Sequence, residues 1–225
     1  MKRGVPGGAP PTSSDLSGTA ELPAHPDLQI VRAEIGFRRF LRLDVVRFRQ
    51  RLFSGAWSAE HTYDLLRRGP AVAVLPYDPD RDRVVLIEQF RLPALYGGAS
   101  PFQIEVVAGL VESGEPDEAV ARRETREEAG IELIGELIAI QRYLPSPGDS
   151  DESVMLFCGR VDAAAAAGIH GKPEEHEDIR VLVKTMAEIE AMVDAGRIEN
   201  GHSLICLQWL LRHRGRVRRM WGFDP

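Results

Sequence analysis

Glu124, Glu127 and Glu128 stand at i, i+3 and i+4 in the run GLVESGEPDEAVARRETREEAGI, residues 109–131 of a 225-residue chain. From Pro116 the run has the composition of a helix, with acids where the first turn falls and Gly130 as a stop, so the three carboxylates share one helical face. Like charges so placed repel one another unless a cation lies among them. Carboxylate oxygens are the ligands that a hard divalent ion prefers, and an ion held this way keeps room for waters and for phosphate oxygens. An ordinary solvated helix, with Glu124 paired to Arg123 or Arg126, has a similar composition. The wider pattern separates the two, because Gly109, Glu115, Arg123, Glu124, Glu127, Glu128 and Gly130 all fall at fixed spacings.

A helix of this kind needs a sheet to stand on, and the flanking text supplies one. AVAVLPYD and DRVVLIEQFRLPA are expected to be apolar strands joined at Pro79-Asp80, and FQIEVVAGL to be a strand running into the glycine turn. Beyond the helix, IELIGELIAIQRYLPS, SVMLFCGRVDA and IRVLVKT read as further strands, and amphipathic helices are expected at about 186–195 and 203–220. The basic RHRGRVRRM falls at the end of the last helix, where cations suit the macrodipole.

Ahead of this region, residues 28–69 alternate as antiparallel strands do, as in Leu43, Val45, Arg47 and Phe48, with a turn at Ser54-Gly55. The arginines among these strands read as a solvent face rather than a nucleic-acid platform. Residues 1–27 are rich in Gly, Pro, Ser and Thr and are expected to form a disordered tail, since they carry too little apolar surface to offset ordering entropy. The expected division is therefore tail 1–27, small β subdomain 28–69 and a main domain, 70–225, that carries the glutamate helix. Net charge is −6, which disfavours nucleic acid as a partner and leaves a negative substrate dependent on local cations. Cys158 and Cys206 lie in apolar runs and read as buried free thiols. No apolar run is long enough to span a bilayer and the start lacks the apolar middle of a signal peptide, so the expectation is a cytoplasmic protein with no membrane partner.

The residues at 109–131 resemble the Nudix box, GX5EX7REUXEEXGU, and fill each fixed position; Thr125 departs from the usual aliphatic, and its methyl is expected to pack toward the core. The resemblance implies an α+β fold, the Nudix α/β/α sandwich with a mixed sheet, carrying a small N-terminal antiparallel β-sheet subdomain. It covers residues 28 to about 221 and extends to YLPSPG, GIHGKPEEHEDIRV and LQWL, which resemble the bacterial ADP-ribose pyrophosphatases. What this implies is hydrolysis of ADP-ribose to AMP and ribose 5-phosphate with Mg2+, or Mn2+ as a substitute. The Ala108 carbonyl, Glu124, Glu128 and Glu177 would hold metal, Glu175 would be the base, and Glu127 would join the catalytic groups. Arg91 would bind phosphate, with Leu110, Ser146, Gly148 and Glu152 near the substrate. A homodimer with exchanged N-terminal sheets is implied, in which Phe40, Leu41 and Arg68 reach the partner's site and Phe40 stacks on adenine. The family's GGTSE pattern appears as Gly148-Asp149-Ser150-Asp151-Glu152, adding two acids that bear on sugar selectivity. Another nucleoside diphosphate sugar such as GDP-mannose is the alternative substrate. A non-catalytic ADP-ribose sensor is the other alternative, disfavoured by the intact set of box glutamates.

Overall fold

The computed structural model describes residues 22–224. Most of the expected tail, residues 1–21, lies outside the described residues. Its last part is described: Leu28 N–H donates to the His25 carbonyl (3.1 Å), and Arg51 Nε to Asp27 (3.1 Å). The chain forms two compact units, one of Pro70–Pro145 with the residues from Ser153 onward, the other of the described residues up to Gly69 with Ser146–Glu152.

In the larger unit, β4 (Pro70–Asp78) and β5 (Arg83–Phe90) form a hairpin, followed by α1 (Leu92–Tyr96), β6 (Phe102–Glu105), β7 (Val107–Leu110) and α2 (Asp117–Ala129). Next come β8 (Ile134–Tyr143), β9 (Ser153–Arg160), β10 (Ile169–His170), β11 (Ile179–Thr185), α3 (Met186–Asp194) and α4 (Gly201–Met220). The sheet runs β10-β11-β5-β4-β9-β8, with β6 on β5 and β7 on β4; the β4–β9 pair is parallel and the rest antiparallel, so the sheet is mixed. Along β4 the side chains alternate between two cores, as the period-2 geometry of a strand requires. Ala71, Ala73, Leu75 and Tyr77 pack with Cys206, Leu207 and Leu210 of α4, whereas Val72 and Val74 pack with Val120, Ala121 and Ala129 of α2. One helix layer therefore covers each face, giving an α/β/α sandwich in an α+β protein.

Two expected elements differ. Strand β5 ends at Phe90, and LPALY is a short helix: Pro93 has no N–H to give a ladder but fits the first turn of a helix, where none is needed. FQIEVVAGL is two strands, because β6 pairs with β5 and β7 with β4; Val106 makes the crossing and gives its N–H to Ser203 Oγ (2.9 Å) instead. Thr125 is fully buried, and its hydroxyl donates to the Ala121 carbonyl (2.7 Å), which satisfies it inside the core. Beyond macrodipole capping, the terminal arginines bind specific acceptors: Arg214 pairs with Asp82, and Arg218 donates to the Pro79 carbonyl (2.6 Å). Cys158 and Cys206 are buried and free. Among the described residues no helix is long and apolar enough to cross a membrane.

The smaller unit is an antiparallel sheet of β1 (Leu28–Arg38), β2 (Arg42–Gln50) and β3 (His61–Arg67) in order β1-β2-β3. On β2 the most buried side chains are Asp44 and Val46 rather than Leu43 and Val45. Asp44 is buried because two arginines share it, Arg42 in a two-point pair (2.6 and 2.9 Å) and Arg67 (3.1 Å).

At the tip of the β4–β5 hairpin the buried Asp78 accepts the N–H groups of Asp80 (2.9 Å), Arg81 (3.1 Å) and Ala163 (2.9 Å) and the Arg81 guanidinium (2.9 Å). Burial alone pushes this carboxyl up, but the N–H donors and Arg81 outweigh it and hold it below its ordinary 3.8. A depressed folded pKa gives stability that is present above the unfolded value and is lost as pH falls through the folded one. Asp78→Asn is therefore expected to cost about 1–3 kcal/mol at pH 7. In urea unfolding the gap to wild type narrows as pH drops below about 4.

Candidate active site

Helix α2 starts after Pro116, whose extended backbone leads into Asp117 and Glu118 in the first turn, and it stops at Gly130, where φ is +66°. The stop must be glycine for a second reason: a Cβ there would lie 2.2 Å from Cε1 of His170. Between these ends, Val120, Ala121, Thr125 and Ala129 are buried, and so are Glu124 and Glu128.

Both acids lie against β7. Glu128 accepts the Ala108 N–H (3.1 Å), and a Cβ on residue 109 would lie 1.9 Å from Glu124 Oε1, so only glycine leaves space for that carboxylate. Burial pushes the Glu124 carboxyl up, with Arg123 opposing it. Glu128 is pushed well above the carboxylate range by burial and then by the charge of Glu124, against the pull of the Ala108 N–H and Arg91, while Glu177 adds to the rise. Two buried carboxylates that favour neutrality in each other's company form a site that a divalent cation would stabilise.

The neighbouring cations are engaged. Arg123 forks onto Glu115 (3.1 and 3.2 Å) and reaches Glu124 (2.7 Å) and Glu127 (3.3 Å). Arg91 grips Glu105 through Nε (3.1 Å) and Nη2 (2.6 Å), and the buried Glu105 also accepts Gln89 Nε2 (3.3 Å) and Asn200 Nδ2 (3.3 Å). Burial pulls the Arg91 guanidinium down, but Glu105 outweighs it, and Glu128 and Glu177 act in the same direction as Glu105. Arg91 therefore stands charged within the field of the carboxylate pair.

The acidic loop is docked on the end of α2. Gly171 N–H donates to the Glu127 carbonyl (3.1 Å), and Lys172 Nζ pairs with the Glu127 side chain (2.7 Å) and Glu175 (3.6 Å). Glu177 Oε2 accepts the Lys172 N–H (3.2 Å). Glu175 is half-buried, whereas its neighbour Glu174 is exposed. Leu110 ends β7, half-buried against the α4-side core.

Among the described residues no three acidic, imidazole or thiol side chains converge as a ready coordination set. Glu124 and Glu128 are brought together beside Ala108, while Glu177 is held in its own loop turn. The donor chemistry nonetheless fits a hard ion: oxygen ligands on a helix, a carboxylate seated in the room left by Gly109, and two buried carboxyls that a cation would hold in their ionised form.

Six of the expected binding residues belong to the smaller unit. Phe40 and Leu41 form the β1–β2 turn, with Phe40 exposed, and Arg68 pairs with Glu152 (3.1 Å). Ser146 Oγ donates to Asp149 (2.5 Å), and the Gly148 carbonyl accepts the Tyr63 hydroxyl (2.5 Å). The two additional acids are tied down: Asp151 accepts the N–H groups of Arg68 (2.6 Å) and Gly69 (3.1 Å) and Arg67 Nε (2.7 Å), and the Asp149 carbonyl accepts the Leu66 N–H (2.8 Å). Lys172, Glu105, His170 and Tyr63 were not singled out by sequence reasoning. Only Lys172 carried a signal, as the one cation in a run of acids.

The NUDIX domain model matches residues 67–202, which include the whole of this helix, strand and loop. The chain belongs to the Nudix family. It is 43% identical over 196 residues to an ADP-ribose pyrophosphatase of Escherichia coli strain K12, covering 87% of this chain and 93% of that one. A GDP-mannose pyrophosphatase of Citrobacter koseri is 34% identical over 151 residues, 67% of this chain and 78% of that one. The fold is shared with a crystal structure described as an ADP compounds hydrolase, at a TM-score of 0.65 and 17% identity, covering 87% of this chain and 98% of that one. As a Nudix hydrolase the protein is an enzyme, and such pyrophosphatases generally work with a divalent metal.

Gly109→Ala probes the carboxylate site, since the three atoms nearest to its added methyl all belong to the Glu124 side chain. Loss of at least about tenfold in Mn2+ affinity is expected, equivalent to ~1.4 kcal/mol, with far-UV circular dichroism unchanged. Calorimetric Mn2+ titration measures it, and wild-type affinity would mean that Glu124 binds no metal.

Proposed function

We propose that this Nudix enzyme hydrolyses the pyrophosphate bond of ADP-ribose, giving AMP and ribose 5-phosphate. The observation that carries the reading is the extent of the likeness to ADP-ribose pyrophosphatases, which runs beyond the residues matched by the domain model. Mg2+ is the cation we assign, held by Glu124, Glu128 and the Ala108 carbonyl, with Glu177 completing the site; Mn2+ is the substitute. When bound, it supplies positive charge to the phosphate oxygens and to an attacking water.

The chain's own residues do the rest. Arg91, fixed in orientation by Glu105, presents a charged guanidinium to a phosphate without having to be ordered at the moment of binding. Glu175 takes the proton from water as its oxygen attacks one phosphorus, and the bond to the bridging oxygen breaks. Its half-burial beside Glu127 suits it to that role, as the exposure of Glu174 does not. Glu127 holds the loop to the helix through its backbone carbonyl and its side chain. Leu110, Ser146, Gly148, Glu152, Arg68, Leu41 and Phe40 are assigned to substrate, Phe40 through its exposed ring, which offers a π-face to adenine.

We further propose a homodimer. Exposed apolar side chains support it on each unit: Phe90, Leu92, Leu95, Tyr96 and Phe102 on one, Val31, Phe37 and Phe53 on the other. The free thiols of Cys158 and Cys206 suit a reducing compartment, and we place the enzyme in the cytoplasm. A second reading, cleavage of GDP-mannose, is favoured by the likeness to the GDP-mannose pyrophosphatase. Product analysis with each substrate and Mg2+ decides between them: AMP and ribose 5-phosphate are expected from ADP-ribose, and faster turnover of GDP-mannose would overturn the assignment.

Glu175→Gln is expected to lower kcat by about 10²–10⁴-fold with little change in KM, since a base acts only in the transition state. Glu174→Gln is near silent, and Glu177→Gln is partly rescued by raised Mg2+. Steady-state kinetics across a Mg2+ series checks all three, and a Glu175→Gln variant with wild-type kcat would place the base elsewhere, with Glu152 next.

A further inference from the structure

Lys172 is where the acidic loop closes on itself and where it meets the helix. Its carbonyl accepts the N–H groups of Glu175 (2.9 Å) and Glu177 (3.2 Å), and its own N–H donates to Glu177 Oε2 (3.2 Å). The residue before it, Gly171, has φ +99° and little room, since a Cβ there would lie 2.6 Å from Glu177 Cβ. Its N–H donates to the Glu127 carbonyl (3.1 Å), which fixes the point from which the Lys172 side chain departs. That side chain crosses back to α2, where Nζ lies 2.7 Å from Glu127 Oε2 and 3.6 Å from Glu175 Oε1. A single ammonium therefore ties the carboxylate of the base to a carboxylate of the metal-binding helix. Its hydrogen bond to Glu127 raises its pKa against the lowering effect of burial, and the charges of Glu127, Glu175 and Glu124 add to the rise, so it stays charged at neutral pH.

We infer that Lys172 is a positioning residue that holds Glu175 against α2 and places a cation of the chain's own on Glu127, which adjoins Glu128 in sequence and shares Arg123 with Glu124. The inference rests on the reading of Glu175 as the base. Two consequences follow from one charge. Glu175 loses one of its contacts, the ion pair with the ammonium, when Lys172 is replaced, which harms turnover. Metal binding gains, because a positive charge close to the helix acids opposes the arrival of a divalent cation. A lysine that merely packed the loop would give the first effect without the second.

The test compares Lys172→Gln with Lys172→Arg in the full chain, by two measurements. Mn2+ binding without substrate, followed by electron paramagnetic resonance, is expected to tighten about 3–10-fold in Lys172→Gln, the scale of one partly screened charge pair. Its kcat on ADP-ribose with saturating Mg2+ is expected to fall about 10–100-fold, the scale of a misplaced reacting group, with KM little changed. Lys172→Arg keeps the charge and stays near wild type in both. Circular dichroism establishes folding, and Lys172→Met replaces the glutamine variant if that variant does not fold. Unchanged Mn2+ affinity, with or without a fall in kcat, overturns the inference, as does tighter Mn2+ binding at wild-type kcat. The metal measurement uses no substrate, so a wrong base or a wrong substrate is recognised separately, by an active Glu175→Gln variant or by absent ADP-ribose cleavage.

Discussion

Burying two carboxylates side by side is costly, and the larger unit is arranged around that cost. Glu124 and Glu128 leave water on the inner face of α2, where Gly109 yields its side-chain volume to one and the Ala108 N–H satisfies part of the other. A hydrogen bond from a neutral donor cannot offset the desolvation of a charge of this kind. The pair is therefore poised to take up positive charge, and the surrounding groups supply it in graded form: Arg123 paired with Glu124, Arg91 acting on Glu128 while it pairs with Glu105, Lys172 on the loop. None of these can occupy a position among oxygen ligands as a divalent ion does.

The same constraint explains why the flanking structure is stiff. Positions along α2 are fixed at both ends, by the αL glycine packed under His170 and by Glu115 clamped to Arg123, so the two acids do not swing apart to relieve their repulsion. Arg91 is held likewise: Glu105, itself fully enclosed, receives Gln89 and Asn200 as well as the guanidinium, and Asn200 caps α4 by accepting the Ser203 N–H (3.1 Å). The start of the C-terminal helix is in this way part of the support for the arginine to which we assign a phosphate. Preorganisation of this kind is what catalysis by charge placement requires.

Much of this was legible in the chain. Helix α2 begins and ends where its acids and Gly130 place it, because helix ends are set by local backbone chemistry. The strands of the large sheet show as apolar runs since both faces are covered, and the last two helices start within two residues of expectation. The short LPALY helix follows from Pro93 itself, whereas the other misses share a cause, which is that partners distant in sequence decide them. FQIEVVAGL reads as one strand until β5 and β4 divide it at Val106. Asp151 looks like a free acid in a substrate loop, yet Arg67 and two backbone N–H groups 82 and 83 positions away claim it. Lys172 stood out only as a cation in a run of acids until the loop placed it over Glu127. The box announces which acids matter, whereas the groups that aim them are visible only in three dimensions.

The central claim is that the buried pair on α2, and not another cluster of acids, holds the catalytic cation. Anomalous diffraction from crystals of the protein grown with Mn2+ tests it most directly. A peak bounded by Glu124, Glu128 and the Ala108 carbonyl is expected, and it disappears in Glu128→Gln. Mn2+ found only on the exposed acids of the 174–178 loop, or a peak at the helix that survives that substitution, would contradict it.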